Sequence, residues 1–149
     1  MIHLARDSIF VGGKMSEVIE LRQATTADAA AIRSLTREAY AKWVQVVGRE
    51  PTPMKADYEA AVRKHRFDLL YVGSVLAALI ETIDEGDQLL IENVAVSPEF
   101  QRRGLGSKLV AHAEGIAASL GYQRIWLYTN DRFTGNARLP DRQLYPYRV

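Results

Sequence analysis

Two hydrophobic periods, one of two residues and one near 3.6, divide the chain into alternating strands and helices. Val18-Ile19-Glu20-Leu21-Arg22-Gln23 alternates partly apolar and polar, as a half-buried strand does. Thr25 followed by Asp28 resembles a capping box with Asp in place of the usual Glu, and Ile32, Leu35, Ala39 and Trp43 then mark a helical face reaching roughly Val47. Gly48 to Met54 holds Pro51 and Pro53 and is expected to be a loop. A second helix is expected from about Lys55 to His65, with Tyr58, Ala61 and Val62 inward. Phe67 to Val72 and Val75 to Thr82 read as strands around a Gly73-Ser74 hairpin turn, and Asp84-Glu85-Gly86-Asp87 as a polar turn. The next run, from Gln88, is apolar and β-branched and closes at Ser97-Pro98, because proline cannot donate to a sheet ladder. Beyond a basic turn, Leu105, Leu109, Ala113, Ile116 and Leu120 repeat at helical spacing, Gly121 signals the helix end, and Arg124 to Thr129 is another strand. The layout is three antiparallel strands meeting a central one, then a helical crossover to a strand parallel to it. That is a mixed α/β (α+β) domain.

Composition narrows the class without naming a function. At 149 residues the chain fits one domain, with 48% apolar and 25% charged residues, as in an ordinary soluble globule. A net charge of +1 implies no general attraction to nucleic acid or membrane. The absence of cysteine removes disulfides, thiolate catalysis and Cys-based metal sites together. No apolar run approaches the ~20 residues of a membrane-spanning helix, so a cytoplasmic protein is expected. Residues 1–14 look like an N-terminal extension, too polar over Ser8 to Gly13 for a secretory signal, ahead of a single domain over 15–149. The three histidines form no metal or triad cluster, and His112 on the inward stripe of its helix reads as a packed residue.

The chemistry concentrates between Gln88 and Lys108. A strand, a basic glycine turn and a helix follow one another, so unpaired backbone N–H groups and the positive helix end converge on a place suited to an anion. Gly104 and Gly106 permit close approach of a ligand, and Arg102, Arg103 and Lys108 bring charge suited to phosphate. The nucleotide-binding phosphate loop fails, because Ser107 rather than lysine follows Gly106 and Gln101 stands where its first glycine belongs. The dinucleotide fingerprint fails as well, because Leu109 occupies its third glycine position.

Gln101-Arg102-Arg103-Gly104-Leu105-Gly106 does resemble the Q/R-x-x-G-x-G/A signature of the GNAT superfamily of acyl-CoA-dependent N-acetyltransferases. Asn93-Val94-Ala95-Val96-Ser97-Pro98 resembles that family's fourth strand, and Arg22-x-Ala24-Thr25-x-x-Asp28 its opening. The segment from Tyr40-x-x-Trp43 through Asp57-Tyr58 resembles an uncharacterised bacterial subgroup. The resemblance implies a mostly antiparallel twisted sheet with helices on both faces, whose fourth and fifth strands run parallel and splay around the cofactor. It implies acetyl-CoA as co-substrate, no metal, and a primary amine as acceptor, on a small molecule or a protein. The cofactor residues it implies are Val94, Val96, Gln101, Arg102, Arg103, Gly104, Leu105, Gly106 and Ser107, with Asn130 and Asn136 beyond the fifth strand. Arg49, Glu50 and Tyr58 are the implied acceptor contacts, while Trp43, Met54 and Tyr58 also read as core packing.

An alkyl amine of pKa ~10.4 arrives protonated, so a base is useful. Glu92 is the candidate, on the strand beside the expected thioester and expected to share a sheet face with Leu90 and Val94; burial would lift its pKa toward the working range. An amide near Val94 would polarise the carbonyl. The end of the chain departs from the family: Gly135-Asn136-Ala137-Arg138-Leu139 begins to match, then Pro140 stands where the tyrosine usually proposed as general acid belongs. Tyr145 or Tyr147 are the substitutes on offer. Pro140 should leave at most a turn or two of helix after Asn136. Either the C-terminus is truncated or frameshifted, or it is a variant whose tail rebuilds the sheet edge. With fewer residues for edge strands, the apolar strand Ile125 to Tyr128 would lie bare, so a homodimer is expected, with Leu144 to Val149 disordered or paired as a short edge strand. Two functions stay open: an active N-acetyltransferase and a catalytically impaired acyl-CoA-binding module.

Overall fold

A computed structural model describes residues 5–11, 14–41, 44, 48–50, 52–129 and 143–148. Its elements in chain order are β1 (Ala5–Val11), β2 (Lys14–Gln23), a 3-10 turn (Thr26–Asp28), α1 (Ala29–Tyr40), α2 (Thr52–Lys55), α3 (Tyr58–Lys64), β3 (Arg66–Val72), β4 (Val75–Asp84), β5 (Leu89–Val96), a second 3-10 turn (Pro98–Phe100), α4 (Leu105–Ser119), β6 (Arg124–Thr129) and β7 (Gln143–Arg148). Among the described residues the strands form one sheet in simple order from β1 to β7, all neighbours antiparallel except β5 and β6, which are parallel. α4 supplies the crossover between that parallel pair, as the sequence pattern requires.

Helices cover both faces, and each face has its own core. On one side Leu105, Leu109, Ala113 and Ala117 of α4 pack on Leu70, Ala78, Ile80, Ile91 and Ile125 of the sheet. On the other, Ile32, Leu35 and Ala39 of α1 and Tyr58 of α3 pack on Phe67, Leu69, Leu79 and Ala95. The start of α1 is tied down as the sequence suggests: Asp28 Oδ2 accepts from the Thr25 N–H at 2.8 Å. Arg22 holds the same carboxylate at 3.0 and 2.7 Å and reaches the Tyr71 hydroxyl at 2.9 Å. That clamp keeps the Asp28 carboxyl below the usual carboxylate range. Asp68, buried beneath α4, is gripped by Arg66 at 2.9 and 3.1 Å and lies 3.3 Å from His112 Nε2.

Several expectations need correction. The stretch Gly48 to Met54 is not all loop, since Thr52–Lys55 forms α2 with Pro53 in its first turn, where no N–H is missed. The single helix expected over Lys55 to His65 breaks at Ala56-Asp57, where Asp57 caps α3 by accepting from the Ala60 N–H at 3.3 Å. Leu120 lies past the end of α4 and is 45% exposed rather than inward. Of the two courses expected for the tail, the structure shows the paired one: Gln143–Arg148 covers the outer edge of β6, bringing Tyr145 opposite Leu127 and Pro146 opposite Trp126. Proline is tolerated there because β7 is an edge strand. The segment set apart at the N-terminus likewise adds an edge strand, β1, beside β2. Trp43 and the Pro140 break lie outside the described residues.

Candidate functional site

β5 is paired along both edges only over its first three residues. Its pairing with β6 runs Leu89–Ile125, Leu90–Trp126, Ile91–Leu127 and stops there among the described residues, although β5 continues to Val96 and β6 to Thr129. Which main-chain groups this opens follows from the β4 side. The Ser97 N–H donates to Ala77 O at 2.8 Å, which makes 77/97 a hydrogen-bonded position. Counting back through Ala78–Val96, Leu79–Ala95 and Ile80–Val94 makes Val96 and Val94 non-hydrogen-bonded positions. Their N–H and C=O groups therefore face away from β4, into the gap that β6 has left. Both carbonyls agree: Val94 O accepts from the Tyr40 hydroxyl and Val96 O from Gln101 Nε2, each at 3.2 Å.

The gap runs directly into the basic turn. Pro98–Phe100 anchors it through Phe100, which is buried, and the Arg103 guanidinium lies 5.1 Å above the Phe100 ring. Arg102 (φ 66°) and Gly104 (φ 77°) both adopt left-handed backbone. The first intrahelical bond of α4 is Lys108 N–H to Gly104 O at 3.1 Å, so the amides of Leu105, Gly106 and Ser107 find no acceptor within the helix. The Leu105 side chain is core, which leaves only its amide for a ligand. A Cβ at Gly104 or Gly106 would meet nothing within 4 Å, so internal packing demands neither glycine. At Gly104 the left-handed φ explains the residue. At Gly106 no such φ exists, and a glycine inside a helix costs about 0.8–1 kcal/mol relative to alanine. Close approach of a ligand is the remaining reason for it. The turn thus fits a phosphate-bearing group at a helix N-terminus.

Beside the gap, on the α1 face of the sheet, lies a polar cluster. The β4–β5 register passes from Glu81–Asn93 to Thr82–Ile91, so Glu92 is an extra residue in a bulge and two residues oppose one. The bulge shifts the alternation. Val94 packs against the α4 core, Ala95 against the α1 core, and Glu92 does not share a face with Val94 as strict alternation predicts. Glu92 is half-buried and close enough to Glu81 and Tyr58 to influence their ionisation. Glu81 is 5% exposed, and its Oε2 lies 2.6 Å from His65 Nδ1. Burial pushes the Glu81 carboxyl up, the contact with His65 opposes this, and Glu92 adds to it. The Tyr40 hydroxyl donates to Asn93 Oδ1 at 2.8 Å, and burial raises its pKa.

The expected acceptor contacts separate. Tyr58 is 3% exposed, its hydroxyl donates to Pro53 O at 2.6 Å, and its ring packs edge-on against Phe67. Burial pushes its phenol up to about 12. Its contacts are those of a core residue. Glu50 accepts from Arg37 at 3.2 Å and so is tied to α1, while Arg49 is exposed. Asn130 and Asn136 lie outside the described residues, as does the Tyr145 side chain. Sequence reasoning missed Glu81, His65, Asn93 and Tyr40. The signals for them were a lone acid within the apolar run of β4 and two consecutive polar residues, Glu92-Asn93, within β5.

A comparison with solved structures finds the same fold repeatedly. A PaiA N-acetyltransferase from Thermoplasma acidophilum, in complex with coenzyme A, superposes with a TM-score of 0.64 at 18% identity, covering 78% of this chain and 82% of that one. A GNAT family acetyltransferase from Brucella melitensis, in complex with acetyl-CoA, gives 0.62 at 17% identity over 85% and 94%. The ribosomal-protein-S18-alanine N-acetyltransferase from Escherichia coli gives 0.60 at 22% identity, covering 73% of this chain and 65% of its own. A search of the curated proteins finds no match. Among the described residues, no helix is long and apolar enough to cross a membrane. The family model for the acetyltransferase (GNAT) family matches residues 29–143, a span that takes in α1, the bulged β5, the glycine turn and β6, and the chain belongs to that family.

Proposed function

We propose that this protein transfers an acetyl group from acetyl-CoA to a primary amine by direct attack of the nitrogen on the thioester. The observation that carries the reading is the opened edge of β5, with the main chain of Val94 and Val96 facing the gap and running into the glycine turn. Gln101, Arg102 and Arg103 and the amides of Gly104, Leu105, Gly106 and Ser107 would hold the diphosphate. Bound acetyl-CoA supplies an acyl group activated as a thioester. The Val94 N–H, held by the rigid sheet, donates to the carbonyl oxygen as charge develops on it. Glu92, at the bulge beside that amide, takes the proton from the attacking amine. The leaving thiolate has a pKa of ~8.5 and needs only modest help. Tyr145 is the proposed donor, because its register position faces Leu127, the last β6 residue paired to β5. Arg49 remains the proposed acceptor contact on the exposed side.

The test is a DTNB assay for CoA release against a panel of primary amines, with calorimetry of CoA binding on the same sample. Micromolar CoA binding and release with at least one amine are expected. Absence of CoA binding by the intact protein would remove the reading. The expected homodimer rests on the outer edge of β7 in place of that of β6. Light scattering should give twice the chain mass, and a clean monomer would refute it.

A further inference from the structure

Two carboxylates and one imidazole share the α1 face of the sheet at the bulge, and their arrangement is lopsided. Glu81 is almost wholly enclosed, its side chain 7% exposed, in the middle of an apolar strand. The bulge sets Glu92 and Asn93 opposite it. Among the described residues, the titratable groups facing it are His65 from the α3–β3 junction, Glu92 from β5, Tyr40 from α1 and Tyr58 from α3. The bulge thus sets a half-buried carboxylate beside an enclosed one that is itself in contact with an imidazole. His65 is placed to pass a proton on, with its ring nitrogen 2.6 Å from Glu81 and its side chain 28% exposed at the end of α3. A contact that short between nitrogen and carboxylate oxygen holds one hydrogen between them, on whichever atom it resides.

We propose that Glu81 and His65 form the proton exit of the site, taking from Glu92 the proton it removes from the amine and passing it to solvent. The proposal rests on the acetyltransferase reading above. The stoichiometry asks for such an exit. An alkylammonium loses two protons on the way to an amide while the N–C bond forms and the C–S bond breaks. One proton ends on the departing thiolate and one is released. Glu92 faces the reacting nitrogen, and it must be unloaded before the next turnover. Glu81 and His65 touch no substrate and act through Glu92.

The test compares His65→Ala, His65→Gln and Glu81→Gln by pH–rate profiles for acetyl transfer, alongside NMR spectra of the His65 ring in the wild type, Glu81→Gln and Glu92→Gln. His65→Ala should lower kcat about tenfold or more near neutral pH, leave CoA affinity unchanged, and recover with added imidazole. His65→Gln keeps a hydrogen bond to Glu81 but relays no proton, so it should be folded, slow and not rescued by the buffer that rescues alanine. Glu81→Gln should change the chemical shifts of the His65 ring, and Glu92→Gln should change them as well. Wild-type kcat in His65→Gln, or an alanine variant that is slow yet unmoved by imidazole, would reduce the pair to a structural contact and overturn the proposal. So would His65 ring resonances indifferent to Glu92→Gln. Absence of transfer by the wild type with the NMR coupling intact would support the connected cluster while removing the acetyltransferase reading.

Discussion

Gly106→Leu separates binding from folding more cleanly than any other change in the turn. Gly106 is the second residue of α4, its φ is not left-handed, and an added Cβ meets nothing within 4 Å. Leucine is close to alanine in helix propensity, so the replacement should stabilise the free protein by about 0.5–0.8 kcal/mol, somewhat less than the full interior difference because the site lies in the first turn. For a chain of this size that is a rise of roughly 1–3 °C in Tm. The opposite holds for the ligand. CoA at 100 times its Kd stabilises a binding-competent protein by about 2.7 kcal/mol, roughly 5–11 °C. A side chain filling the cradle should abolish that shift. Gly104 is the poorer choice, because its φ of 77° makes any other residue cost about 1–2 kcal/mol and confuses strain with lost contact. Thermal scans with and without CoA on wild type and variant decide the matter. A variant that keeps the ligand shift, or one that is less stable than wild type without CoA, would refute the assignment of this glycine to ligand approach.

Glu92→Gln should lower kcat by ~10²-fold or more with little change in CoA affinity and a flattened acid limb of the pH–rate profile, read by steady-state kinetics. Glu81 has a folded pKa above its unfolded one, so its contribution to stability is present at low pH and lost as pH rises through the folded value. Glu81→Gln should accordingly gain stability relative to wild type as pH rises above the ordinary carboxylate range, as measured by urea midpoints. Asp68 is the mirror case. Burial would raise its carboxyl, but His112 and Arg66 together hold it below the usual range, so its stabilisation exists above about pH 4 and fades as pH falls. Asp68→Asn should cost about 1–3 kcal/mol at pH 7, and progressively less as the pH is lowered through the folded pKa of Asp68.

Local signals carried most of the architecture. The hairpin at Gly73-Ser74, the cap at Thr25 and the strand–turn–helix from Leu89 to Ser119 each depend on residues near one another in sequence, and each is present. What could not be read depends on register. Glu81 and His65 are 16 residues apart, and their meeting follows from where β3 turns into β4. The bulge at Glu92 follows from how β5 meets β4, and no count along one strand reveals it. The tail could be read only as disordered or as a short edge strand; pairing on one side is compatible with Pro146, and Gln143–Arg148 takes the second course. The break at Ala56-Asp57 was legible in principle, since Asp followed by a helical run is a capping signal, but the longer apolar pattern obscured it.

The bulge makes Glu92 a lodger in the sheet rather than one of its members. Skip it, and β5 reads Leu89, Ile91, Val94, Val96 toward α4 and Leu90, Asn93, Ala95 toward α1, an unbroken alternation. The carboxylate therefore sits in the strand without taking the place of a core side chain. Excising this single residue would close the ladder between Ile91 and Asn93 and keep every apolar partner on the side it now faces. The usual conflict between a charged group and a hydrophobic core, in which one position must serve both, is avoided here by giving the carboxylate a position of its own.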